Sequence, residues 1–294
     1  MSIAVCTMVY DDVEFLKIWL RYWTEKLPAE SLYVIIHGGR EDVMDLVQGA
    51  TRIPVFRPEP YPAMEDDRWR MLSSLISGLS YMHSSVIYTD VDEILLVDPE
   101  ISNDIVQTLA DLPAPVITPY GIELIHRIDL EAETLNLSRN VLEQRRFVRA
   151  TNFFCKPCIT KQPILWARGG HFSDYEKVHF KEGLFNLHLR FMDDGLFLQR
   201  TRKRRRTTFT DLKINDAERR RWRTSDDAAR EHLSRHRTYP IVNNSDTAPD
   251  MSQVVRPILR RGAIKETMTG KLRMFPFREA ETLQTLPSRF QNLV

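Results

Sequence analysis

The chain is 294 residues long, poor in glycine, nearly free of cysteine, and nowhere continuously apolar. Its 11 glycines form no G-x-G-x-x-G and no G-x-x-x-x-G-K-[ST]; the nearest approach, Gly262 to Gly270-Lys271, has the wrong spacing. Dinucleotide-binding dehydrogenases and P-loop NTPases are therefore disfavoured. Three cysteines, an odd number, argue against a disulfide framework. Cys155-Lys156-Pro157-Cys158 has the spacing of half a zinc site or a redox pair, but there is no second cysteine pair to complete four ligands. No stretch approaches the ~20 apolar residues that a bilayer span requires, and Met1–Cys6 has no basic region ahead of its apolar run, so the expectation is a cytoplasmic protein.

What is present is the material of a folded core. Hydrophobic residues make up 43% of the chain, with 14 Phe, 9 Tyr and 5 Trp, which excludes a disordered polypeptide. A formal charge of +1 conceals a gradient: residues 1–100 carry a net −9, residues 101–200 zero, and residues 201–294 a net +10. An acidic front suits metal or sugar chemistry, and a basic rear suits a polyanionic partner.

Ile3–Val9 reads as a buried strand. Asp11 and Glu14 then stand at capping-box spacing ahead of Phe15, Leu16, Trp19, Leu20, Trp23 and Leu27, which repeat with helical period. Leu32–Ile36 and Ile53–Phe56 predict two further strands, and Pro58, Pro60 and Pro62 a stiff connection. Met71, Leu72, Leu75, Ile76, Leu79 and Met82 mark a helix, and Val86–Thr89 the next strand. Beyond Pro99, strands are expected at Val116–Pro119, Ile164–Trp166 and Leu184–Leu189, with helix from Asp193 onward. Alternating strands and helices imply an α/β fold with a mostly parallel sheet, whose ligands bind beyond the carboxyl ends of the strands. Tyr10-Asp11, His37-Gly38 and Asp90-Val91-Asp92 should then line one crevice.

Asp90-Val91-Asp92-Glu93 is the most informative segment. A D-x-D at a strand end turns two carboxylates to one side of the pleat, and their repulsion is tolerable only beside a cation or water. Hard oxygen ligands favour Mg²⁺ or Mn²⁺, which can bridge carboxylates to the phosphates of a nucleotide. The alternative is a solvated acidic turn leading into Ile94–Val97.

Cys6-Thr7-Met8-Val9-Tyr10-Asp11-Asp12 with Glu14-Phe15-Leu16 and Trp19-Leu20, followed by Tyr88-Thr89-Asp90-Val91-Asp92-Glu93-Ile94-Leu95, resembles the bacterial glycosyltransferase family 2 group and its family 92-like relatives. Gln144-Arg145-Arg146, Lys156-Pro157, Gly170-His171-Phe172 and Leu187-His188-Leu189-Arg190 extend the resemblance to about residue 195. It implies a GT-A (Rossmann-like) domain over 1–195, flanked by helices, with 196–294 as a basic, largely helical C-terminal extension. It further implies a nucleotide-diphosphate sugar as donor and Mn²⁺ or Mg²⁺ held by Asp90, Asp92 and His188. Thr7, Tyr10 and Asp11 would meet nucleobase and ribose, and Arg68 and His171 would complete the donor site. Where relatives usually carry an acidic residue at the end of the second strand, this chain has His37-Gly38-Gly39.

Such enzymes invert the anomeric centre, which needs a general base for the acceptor hydroxyl. Asp174, Glu123 and Asp193 are the candidates, each with the alternative of a surface carboxylate or helix cap. The acceptor would be a glycan or glycolipid. Arg200 and Arg202–Arg206, with Arg219–Arg221 and Arg223, read either as a solvated face or as peripheral contact with the inner face of a membrane. Nucleic acid is disfavoured because aromatics are not interleaved with the basic runs. Two competing readings are a haloacid-dehalogenase-like phosphohydrolase, with Asp90 as nucleophile, Asp92 as acid, and Lys177 and Asp193-Asp194 as later motifs, and a non-enzymatic cation-dependent binding protein.

Overall fold

In the computed structural model, which describes residues 2–59, 61–112, 114–206, 224–242, 246–261, 263–267 and 270–294, the apolar run Ile3–Val9 forms β1 with all seven side chains buried. A strand hydrophobic on both faces must be covered on both. Val5 and Val9 face the helix α1 (Val13–Thr24), which buries Phe15, Leu16, Ile18, Trp19, Tyr22 and Trp23. Ala4, Cys6 and Met8, on the opposite face, meet α3 (Met64–Leu79) through Trp69, Leu72 and Ile76. Full burial of each large side chain contributes roughly 1.5–3 kcal/mol.

Strands β2 (Leu32–His37), β3 (Thr51–Val55) and β4 (Ser85–Tyr88) join β1 in the order β3-β2-β1-β4, all parallel. This is the Rossmann-like half, with helix α2 (Glu41–Leu46) between β2 and β3. The remaining strands make the sheet mixed. β8 (Ile159–Thr160) lies antiparallel between β4 and β6 (Val116–Ile125). β6 pairs antiparallel with β7 (Phe147–Ala150) and parallel with β9 (Phe180–Phe191), which in turn pairs antiparallel with β5 (Glu93–Val97). Helices α4 (Ile105–Ala110) and α5 (Val141–Gln144) occupy the connections; Asp104 caps α4 by accepting from the Val106 and Gln107 amides.

The C-terminal segment contains α6 (Asp194–Arg206), α7 (Asp226–Thr238) and α8 (Ser252–Arg261), strands β10 (Ile241–Val242) and β13 (Leu283–Thr285), and a hairpin of β11 (Ala263–Thr267) and β12 (Gly270–Met274). Its strands β10 and β13 continue the main sheet. β13 pairs with β7 and β10 with β13, while Phe290 and Val294 enter the main core. The charge gradient helps to hold it there: Arg289, near the basic end, pairs with Asp98 in the acidic front at 2.6 Å.

Several local expectations change. The start of α1 carries no side-chain cap, because Asp12 at that position engages Arg200 instead. Ile164–Trp166 makes only an isolated bridge, Trp166 to Ser173. Cys155 and Cys158 are buried free thiols whose acidity burial suppresses, and Cys155 accepts the Gly121 amide at 3.2 Å. Arg219–Arg221 and Arg223 lie outside the described residues.

Candidate active site

The carboxyl ends of β1, β2 and β4 open onto a cavity of about 630 Å³, closed on its far side by β6, β7, β9 and α6. Of the residues expected in a donor site, Tyr10, Arg68, Asp90, Asp92, His171, His188 and Glu123 line it. Thr7, at mid-strand in β1, is wholly buried and is not among its lining residues. Asp11 sits at the turn beyond β1 and is likewise not part of the wall. Two base candidates are elsewhere in the fold. Asp174 is exposed and accepts the Leu165 amide at 2.9 Å, while Asp193 caps α6 through the Leu196 amide at 2.9 Å. Short polar side chains at chain reversals find backbone donors first, which is why these two have local structural work.

Tyr10 leaves β1 at the cavity mouth, with the Arg57 guanidinium 3.5 Å from its ring centroid and His37 edge-on at 6.4 Å. Burial, reinforced by Arg57 and Arg68, lowers the His37 pKa to about 4, so this ring is neutral at pH 7. His171 is placed by Gly169-Gly170, both at positive φ; a Cβ on Gly170 would come within 2.7 Å of the Trp69 ring. Its Nδ1 lies 2.7 Å from the Phe153 carbonyl, and burial lowers its pKa to about 3.

The floor is a row of charges set by strand register. Glu93 on β5 is aligned with His188 on β9, His188 with Glu123 on β6, and Glu123 with Arg149 on β7. Cross-strand neighbours of opposite sign attract, and here they alternate across four strands. His188 Nδ1 is 2.9 Å from Glu123 Oε1 and its Nε2 3.4 Å from Asp92 Oδ2; Arg149 reaches Glu123 at 2.5 Å and Glu279 at 3.1 Å. Burial works against the imidazolium, but Asp92 and Glu123 outweigh it and raise the His188 pKa. Burial also opposes the Glu123 carboxylate, yet His188 and Arg149 bring its pKa down to about 2.

Asp90 and Asp92 have counter-ions from the protein itself. Lys156 Nζ lies 2.7 Å from Asp90 and 2.5 Å from Glu93. Arg200, projecting from α6, pairs with Asp92 and lies 2.7 Å from Asp12. Burial pushes the Asp92 carboxyl upward, but Arg200 and His188 hold it well below the usual carboxylate range. These residues do not fit the expected metal centre. His188 Nδ1 faces Glu123 and its Nε2 faces Asp92, and Asp92 Oδ2 is already shared by Arg200 and His188 while Lys156 holds Asp90. Among the described residues no group of three or more His, Cys, Asp or Glu is arranged to hold a metal ion.

The basic run of α6 divides between two partners. Arg200 and Arg204, one turn apart, both line the cavity, whereas Arg202 and Arg205 pair with Asp226 on α7. Phe197 and Leu198 bury the helix against Ile125, Phe147 and Phe191. Among the described residues no helix is long and apolar enough to cross a membrane. The phosphohydrolase constellation is not assembled either: Lys177 is exposed, Asp193 caps α6, and Asp194 pairs with His126 and Arg237.

Sequence reasoning passed over Arg149, Arg190, Arg200, Arg204 and Glu279 as site residues, although all line the cavity. Lys156 was visible only inside the Lys156-Pro157 resemblance. The excess of basic residues after position 200 points to Arg204 alone among them.

No family model and no curated protein matches the chain. Among solved structures it is similar to the mannosyltransferase PcManGT from Pyrobaculum calidifontis, in complex with GDP-Man and Mn²⁺, at 12% identity and a TM-score of 0.33, covering 79% of this chain and 74% of that one. It is also similar to a CMP:2-keto-3-deoxy-manno-octonic acid synthetase complexed with CTP, at 14% identity and a TM-score of 0.27, covering 67% and 78%.

Proposed function

We propose that the protein is a glycosyltransferase that moves a sugar from a nucleotide-diphosphate donor to a saccharide or lipid-linked acceptor with inversion. The observation that carries this reading is the convergence of Tyr10 beyond β1, the Asp90/Asp92 pair beyond the parallel β4, and Arg68 from α3 in one cavity of about 630 Å³. Tyr10 offers an aromatic surface for a base, and Arg68 and Arg200 offer guanidinium donors for phosphate oxygens. Phe153, Phe154 and Phe191 line the inner wall and present apolar faces suited to the C–H surface of a sugar ring.

In this reading the acceptor oxygen attacks the anomeric carbon as the bond to the diphosphate oxygen breaks, and the departing nucleoside diphosphate takes the electron pair. The acceptor proton needs a base. Glu123 is a poor one, since His188 and Arg149 hold it ionised down to about pH 2. Glu279 is better placed: it lines the same cavity, its side chain keeps 42% exposure, and burial lifts its pKa above the ordinary value over the opposing pull of Arg149. Arg149 contacts both carboxylates, so it also fixes where Glu279 points.

Thermal shift against a panel of nucleotide diphosphates and their sugars tests the assignment, because a ligand that binds only the native state raises the melting temperature. A selective rise with one base, followed by sugar transfer detected by mass spectrometry, is the expected result. No stabilisation by any nucleotide diphosphate would refute it.

A further inference from the structure

We infer that the D-x-D carboxylates are closed by built-in cations, Lys156 on Asp90 and Arg200 on Asp92, and that the donor diphosphate is held by side-chain guanidinium groups without a divalent metal ion. This rests on the sugar-nucleotide reading above and identifies what replaces the metal in it.

Two independent observations carry it. The first is occupancy by the protein's own charges. Asp92 and Arg200 side chains are 9% and 10% exposed, and Lys156 and Glu93 are 6% and 1% exposed. A dication entering between Asp90 and Asp92 would sit against the Lys156 ammonium and the Arg200 guanidinium, both already paired with those carboxylates. Arg200 is also anchored from its other nitrogen by Asp12 at 2.7 Å, so leaving Asp92 would break a two-point clamp. The second observation concerns unmet hydrogen bonds. The buried Nε atoms of Arg68, Arg149 and Arg200 have no hydrogen-bond partner, and all three side chains line the cavity. The Nε atoms themselves are closed to solvent, so what the cavity presents to a diphosphate is the positive charge and the remaining N–H donors of three guanidinium groups in its wall.

The composition of the cavity agrees with this. Arg204 joins Arg200 and Arg68 in its wall, and the Arg200 charge, then burial and Arg190, lower the Arg204 pKa to about 10. Such crowding of like charges is relieved by an anion.

Two measurements on the full chain decide the matter. Manganese EPR with Mn²⁺ alone reads the carboxylate pair with no nucleotide present. The wild type should leave the free Mn²⁺ signal intact, and Arg200→Gln should take up Mn²⁺. One Mn²⁺ held per wild-type chain and lost in Asp92→Asn would overturn the inference. Calorimetry with inorganic pyrophosphate and with a set of nucleoside diphosphates, in EDTA and again in Mn²⁺, reads the anion site. Affinity should agree within about twofold between the two buffers, and Arg68→Ala, at a position whose side chain is 31% exposed, should weaken both by about tenfold. Binding tightened about tenfold or more by Mn²⁺ in the wild type would overturn it. Failure of every nucleoside diphosphate while pyrophosphate binds in EDTA would overturn the transferase reading and leave the metal-free anion site supported.

Discussion

Replacing Glu123 by glutamine removes one charge from the middle of the row Glu93, His188, Glu123, Arg149, where both neighbours depend on it. The Glu123 side chain is only 4% exposed, so solvent screens it little. Its pKa falls from 4.5 to about 2 on folding, and that depression corresponds to about 3 kcal/mol of stability at neutral pH. The folded pKa lies below the unfolded one. The contribution is therefore complete above pH ~5, where the carboxylate is ionised in both states, and is lost as pH falls through about 2. Glu123→Gln should cost about 3 kcal/mol in urea unfolding at pH 7, or roughly 5–10 °C in melting temperature for a chain of this size. Its stability should also fall less steeply than the wild type's between about pH 5 and 2. A double-mutant cycle with Arg149→Met isolates the pair, and a coupling of about 1–3 kcal/mol is expected. A variant within about 0.5 kcal/mol of wild type, with an unchanged acid limb, would refute the account of the row as a set of mutually stabilising buried charges.

Three further outcomes are expected. Glu279→Gln should lower kcat by about 10²–10⁴ with little change in KM and should remove the acid limb of the kcat profile, which steady-state kinetics across pH would reveal. Tyr10→Ala should weaken nucleotide binding by about tenfold in calorimetry while leaving pyrophosphate binding unchanged, since stacking on the ring involves the base and not the phosphates. Gly121→Ala places a Cβ 2.4 Å from the Thr151 carbonyl and 2.7 Å from the Cys155 nitrogen, both backbone, so it should destabilise the fold by about 1–3 kcal/mol in denaturant unfolding; an unchanged midpoint would show that β6 can shift away.

Much of the N-terminal half could be read directly. Ile3–Val9, Leu32–His37 and Ser85–Tyr88 are apolar runs bounded by turns, and the periodicity of Phe15, Leu16, Trp19 and Trp23 marks α1, because strand and helix each repeat their buried face at a local, countable interval. The same pattern placed Tyr10, Asp90 and Asp92 at strand ends, and so on one edge of the sheet. For Asp174 and Asp193 it left two readings open, general base or surface carboxylate and helix cap, and their carboxylates serve nearby backbone amides. It did not connect the basic run with the cavity, because periodicity cannot reveal which face of α6 meets a distant carboxylate.

What the amino-acid order determines alone is the sequence of elements and the acidic pair at the end of β4; what only the tertiary structure decides is which charges that pair meets. Arg200 reaches Asp92 across 108 positions, Lys156 reaches Asp90 across 66, and Arg149 reaches Glu279 across 130. Coulomb attraction depends on distance in space and on the loss of water around both partners, and neither quantity is set until β5, β9, β6 and β7 lie in register and α6 packs over them. All three of these cations lie between positions 101 and 200, where the net charge is zero, so the charge balance along the chain does not point to them and the fold alone chose their place.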